Sequence, residues 1–140
     1  MGKQVKIFDL LAKKQSLTIF KSQKRKNQLM EELNQVRSYK NQLLEILSSI
    51  DTNQSYKTVS EIKSENWYNL KIQDELRAID NKIEFLNLEI KNQNIQVANA
   101  SEKQKKFQEK RKFFNSLEKQ EKETRLESSM PSATNNRSKT

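Results

Sequence analysis

The side chains of this chain that could do chemistry are carboxylates and cations. Glu31 and Glu32 are neighbours, as are Asp74 and Glu75. Paired carboxylates perform general acid–base work when a concave, water-poor site pushes their pKa values apart. Two basic stretches stand beside them. "SQKRKNQ" groups Lys24, Arg25 and Lys26. "KKFQEKRKFF" sets Phe107, Phe113 and Phe114, with Leu117 beyond, among Lys105, Lys106, Lys110, Arg111 and Lys112. Cations among exposed aromatics bind: they anchor protein partners or attract acidic and phosphate-bearing surfaces. The chain has no Cys and no His. Cys/His metal sites and every triad built on imidazole or thiol are therefore excluded. The single Gly, at position 2, leaves no glycine-rich phosphate cradle. These residue types point to a binding protein, with no enzyme activity, no cofactor, no metal and no small-molecule substrate expected.

The elements that must carry these groups are long helices. Of 140 residues, 33% are hydrophobic and 32% charged, with one Gly and one Pro. Turns need Gly and Pro, so few long elements are expected, rich in Lys, Glu, Gln and Leu. The apolar residues are too sparse for a thick core and sufficient for a two-helix seam. The stretch "LRAIDNKIEFLNLEI" places Leu76, Ile79, Ile83, Leu86 and Ile90 at alternating gaps of three and four. That is the 3.5-residue repeat of a coiled coil. The seam extends from Ile72 through Gln93, Val97, Ala100, Gln104, Phe107 and Arg111 to Phe114. An earlier seam reads Leu29, Leu33, Val36, Lys40, Leu43, Leu47 and Ile50, broken only by Lys40. Before it, Phe8, Leu11, Ile19 and Phe20 suggest a less regular, wider apolar face, with Ser22 and Lys26 intruding.

These patterns predict an all-α fold: a long antiparallel two-helix coiled-coil hairpin over residues 1–127. Helix one spans about 4–50, a loop about 51–58, and helix two about 59–126, followed by a disordered tail at 128–140. Thr58 and Glu61 match a capping box at the second start. Folding about Ser55 sets Leu43 near Trp67, Leu33 near Ile79 and Phe8 near Gln104, with a paired length of roughly 70 Å. Helix two would overhang past Phe107. Trp67 would close the loop end beside Leu43.

The net charge of +9 divides into +6 over residues 1–50, −2 over 51–100 and +5 over 101–140. Ser22, Lys26, Gln93, Gln104 and Arg111 stand at or near seam positions in the half of the hairpin near the termini, so that half is expected to be looser as well as basic. Lys3, Lys6 and Asp9 interrupt any secretory h-region, and no apolar run approaches a membrane span. Lys6 stands where an N-myristoylation signal needs Ser or Thr. A cytoplasmic protein is expected.

The length, the break near residue 55, "NWYNLKIQDELRAIDNKI" opening helix two and the closing "ASEKQKKFQEKRKFFNSLEKQEKETRLE" together resemble the FliJ family. These are the soluble stalk proteins of bacterial flagellar type III export, and the resemblance covers roughly Val5 to Glu127. It implies a non-enzymatic stalk and chaperone-type protein at the cytoplasmic face of the inner membrane. Such a protein inserts its terminal end into the export ATPase hexamer, touches the export gate membrane protein and assists export chaperones. Carried onto this sequence, it implies ATPase contacts at Lys24, Arg25, Lys105, Lys106, Lys110 and Arg111. Gate contacts would fall on Tyr68, Gln73 and Arg77. An injectisome stalk would look the same. A general coiled-coil scaffold or chaperone is the competing class. A nucleic-acid binder is the weakest, since the cations lie all round the helices and no binding module is present.

Overall fold

The computed structural model describes residues 2–52 and 58–129. Helix α1 runs Lys3–Thr52 and helix α2 runs Val59–Ser129. Among the described residues there is no strand, and the two long helices pack against each other. Helix α2 opens on the capping box expected of Thr58 and Glu61. The Glu61 amide donates to Thr58 Oγ1 at 3.3 Å, and the Thr58 amide donates to Glu61 Oε2 at 3.2 Å. Helix α1 has no acidic residue in its first turn and no basic residue in its last. It gains nothing from its macrodipole, so its stability rests on packing. Asp51 and Thr52, expected in the loop, continue α1, and Ser128 and Ser129, expected in the tail, continue α2. Ser55 and residues 130–140 lie outside the described residues.

Burial follows the heptad repeat on both helices. On α1 the buried or half-buried positions include Val5, Phe8, Ala12, Gln15, Ile19, Ser22, Lys26 and Leu29, then continue to Ile50 at the same alternating gaps. The first half of α1 is thus as regular as the second. Small and polar residues at 12, 15, 22 and 26 hide the repeat from a hydrophobic count. Phe20, read as part of the apolar face, points out instead and is 64% exposed. On α2 every predicted seam residue from Ile72 to Phe114 is buried or half-buried, and Glu118 extends the row.

The chain divides into two compact units, Met1–Phe20 with Ala98–Thr140, and Lys21–Val97. In the second unit, Leu29, Leu33 and Leu86 form one buried cluster, flanked by Val36, Ile83 and Ile90. Leu43, Ile72 and Ile79 form another, flanked by Leu47, Ile50 and Leu76 among others. Leu33 therefore meets Leu86, seven residues beyond the expected Ile79, and Leu43 meets Ile72 and Ile79 instead of Trp67. Sliding one helix by a heptad leaves the apolar stripe in the same phase, so hydrophobic pattern cannot choose between such registers. Polar pairs distinguish them. Lys40, the one break in its seam, donates to Asp80 Oδ1 at 2.7 Å. The buried Ser22 hydroxyl donates to Gln96 Oε1 at 3.3 Å. Lys82 and Glu32 pair at 3.3 Å.

In the first unit, Val5, Ala12 and Ala100 are buried. Phe8 stacks on Phe114 at 5.5 Å and tilts against Phe107 at 6.3 Å. Gln104 donates to Ser16, and Arg111 Nε lies 3.5 Å from Asp9 Oδ1. The Gly2 amide donates to Glu118 at 3.1 Å. Helix α2 is therefore partnered to Glu118, and the expected overhang past Phe107 begins only after it: residues 119–129 are all exposed.

Leu29 and Leu86 are 1% and 2% exposed, so Leu29→Ala or Leu86→Ala should cost about 3 kcal/mol in urea unfolding followed by circular dichroism. Leu88→Ala, at an exposed position of the same unit, should cost less than about 0.5 kcal/mol.

Candidate functional site

Four of the six cations singled out for ATPase contact lie in the first unit, and they are not equivalent. Lys105 and Lys106 are exposed on α2, and Lys106 Nζ is 3.5 Å from Glu102 one turn earlier. Lys110 Nζ sits 5.6 Å over the Phe8 ring, within cation–π range. Arg111 is half-buried in the seam facing Asp9, which Lys13 also approaches, at 3.2 Å. At 3.5 Å the Arg111–Asp9 contact is an ion pair rather than a well-formed hydrogen bond, and Arg111 Nε is buried without another partner. Lys110 and Arg111 thus help hold α1 against α2, leaving Lys105, Lys106 and Lys112 as the outward cations of this stretch. Phe113 meets Phe114 edge-on at 5.5 Å yet stays 60% exposed.

Lys24 and Arg25 lie in the second unit, exposed on α1 between Ser22, which pairs with Gln96, and Leu29, which packs with Leu86. Those two contacts set them level with the stretch of α2 between Leu86 and Gln96. Glu31, later on α1, is exposed, and Glu32 beside it is half-buried. Lys82 engages Glu32 on the surface.

Tyr68, Gln73 and Arg77 also belong to the second unit, and all three are exposed. Gln73 and Arg77 are one turn apart on one face, with Arg77 Nη1 3.8 Å from Asp74. A helix turns about 100° per residue, so Tyr68 points about half a turn away from Arg77. The three do not form one patch. Tyr68 instead packs edge-on to Trp67 at 5.4 Å. Trp67 is 55% exposed under Lys71 Nζ, which stands 4.6 Å above its ring, and it does not close over Leu43.

A shallow groove that sequence reasoning missed does involve Tyr68. It is about 230 Å³, lined by Leu43, Ile46, Tyr68, Lys71, Ile72 and Glu75. Its only sequence signal is Ile46, an apolar residue off the seam of α1 three positions after Leu43. Glu75, on its rim, also accepts from the Tyr39 hydroxyl at 3.1 Å. This bond, reinforced by the negative charge of Glu75, holds the Tyr39 phenol above its ordinary value.

Among the described residues no group of three or more His, Cys, Asp or Glu is placed to hold a metal. No described helix is long and apolar enough to cross a membrane. Comparison with known proteins finds no matching family, no matching curated protein and no matching solved structure.

The Tyr39–Glu75 contact is testable by NMR titration of the tyrosine rings. Tyr39 should deprotonate above 10.0, and Glu75→Gln should bring it back toward that value. A raised phenol pKa favours the folded state only while the phenol is protonated, so this contribution fades as pH rises through the Tyr39 titration.

Proposed function

We propose that this chain is a non-enzymatic stalk and chaperone-type component of the bacterial flagellar type III export apparatus, folded as an antiparallel coiled-coil hairpin. Its work is mechanical and adhesive. Lys105 and Lys106 in the first unit, and Lys24 and Arg25 in the second, engage the export ATPase hexamer, and Lys110 and Arg111 support the first pair from the seam. Gln73 and Arg77 on one face of α2, and Tyr68 on another, serve the export gate membrane protein. Export chaperones are the third class of partner. The protein itself is peripheral at the cytoplasmic face of the inner membrane.

The observation that carries this reading is the burial pattern. Both helices bury one narrow 3–4 stripe and expose almost everything else, and the exposed cations cluster in the basic stretches near the start of α1 and the end of α2. Helices with exposed cations suit engagement with an acidic ring, where charge complementarity sets encounter and orientation. The resemblance of "NWYNLKIQDELRAIDNKI" and of the basic closing stretch supplies the identity of the ring. The direction of pairing is supported by contacts within each unit, where partners on α2 fall in number as those on α1 rise: Ser22 with Gln96 and Lys40 with Asp80, and Gly2 with Glu118 and Ser16 with Gln104.

Co-purification with candidate export ATPases, with hexamer formation and hydrolysis as readouts, tests the proposal. The chain should promote both. Lys105→Glu with Lys106→Glu should weaken ATPase association by about tenfold or more while leaving helicity unchanged. Full retention of association in that variant would place the contact elsewhere. No association with any export ATPase, together with salt-sensitive binding to arbitrary DNA, would overturn the function.

A further inference from the structure

Within Lys3–Phe20, the face of α1 turned away from the seam carries large apolar side chains that the packing of α1 against α2 does not use. Leu10 and Leu17 are 65% and 53% exposed, and Ile7 and Phe20 are exposed beside them. At a 3.5-residue repeat, residues seven apart lie in one row. Lys3, Leu10 and Leu17 form the row opposite the seam. Ile7 and Lys14 flank it on one side, and Lys6, Lys13 and Phe20 on the other. All four lysines are exposed. These three rows contain no carboxylate. Asp9, the one acidic residue before Phe20, lies beside the seam, within reach of Lys13 and Arg111.

We propose that this face binds the surface of an anionic lipid bilayer. Large apolar side chains interleaved with lysines along a helix suit the boundary between headgroups and acyl chains. The apolar groups enter it while the long lysine stems lift their ammonium groups to lipid phosphates. Juxtaposed lysines add attraction to an anionic leaflet. The same charge pattern disfavours a second copy on this face, because two such faces would bring Lys3, Lys6 and Lys14 together, and the one nearby carboxylate, Asp9, is engaged by Lys13 and Arg111. Nucleic acid would make no use of Leu10, Leu17 and Phe20. The proposal does not rest on the export reading: the face and its chemistry belong to α1 itself.

The test is co-sedimentation of the full chain with vesicles. Phosphatidylcholine vesicles containing phosphatidylserine should carry the protein down, and pure phosphatidylcholine should do so about tenfold less well or worse. The off-seam variant Leu10→Gln/Leu17→Gln/Phe20→Gln should lose a comparable factor with its helicity intact. As a readout independent of that variant's folding, Leu10→Trp in a Trp67→Phe chain should show a blue-shifted emission on adding phosphatidylserine vesicles. Three results would overturn the proposal. One is no sedimentation with phosphatidylserine. Another is binding unchanged in the triple variant with no emission shift, which leaves only general charge attraction, as for an acidic protein or nucleic acid. The third is self-association of the parent chain that the triple variant abolishes, which assigns the face to a second copy.

Discussion

The structure depends on an apolar stripe that is too narrow to bury itself. One residue every three or four leaves each helix a seam one side chain wide, and such a seam stays in water unless another helix lies along it. Helix propensity alone does not secure α1, which lacks favourable charges at both ends. The burial of Leu29, Leu33 and Leu86 in one cluster, and of Leu43, Ile72 and Ile79 in the next, is what holds the helices. Each such leucine or isoleucine contributes on the order of 2–3 kcal/mol.

A repeating stripe stabilises many registers almost equally, so the residues that spoil the stripe carry the information. Lys40, Ser22, Gln104 and Arg111 each interrupt an apolar row, and each meets a polar or charged group on the other helix: Asp80, Gln96, Ser16 and Asp9. A slip of one heptad would keep every leucine in phase and strand these groups against the wrong neighbours. The net strength of such partly exposed contacts is modest, and their value lies in choosing among arrangements that hydrophobic burial cannot separate. The same logic assigns Arg111 a structural part beside any binding role.

The α2 seam from Ile72 to Phe114 and the Thr58–Glu61 cap were legible in the sequence because both rest on short-range spacing. The regularity of α1 before Leu29 was not, because Ala12, Gln15, Ser22 and Lys26 occupy seam positions without the hydrophobicity that marks them. Register was illegible for a deeper reason. It depends on which of several equivalent heptads meet, and the deciding pairs, such as Ser22 with Gln96, are 74 residues apart. From that one displacement came the misplacement of Trp67 and the early start of the overhang. Of the candidate surfaces, the cations were visible as a run, but their division into outward Lys105 and Lys106 and seam-engaged Arg111 needed the partner helix. Tyr68, Gln73 and Arg77 come as one group from the family resemblance, and helical geometry separates the first from the other two.

Two kinds of surface thus follow from one seam: residues drawn toward the partner helix, which fix the pairing, and residues left outside, which are available to other molecules. That division holds only if the helices fold back in the register described. The chain has no cysteine of its own, so engineered pairs report on it cleanly. Ser22→Cys with Gln96→Cys should crosslink within a single chain through a short bifunctional thiol reagent. Ser22→Cys with Glu89→Cys, one heptad away, should react poorly. Preferential crosslinking of the 22/89 pair, or crosslinks only between separate chains, would contradict the account.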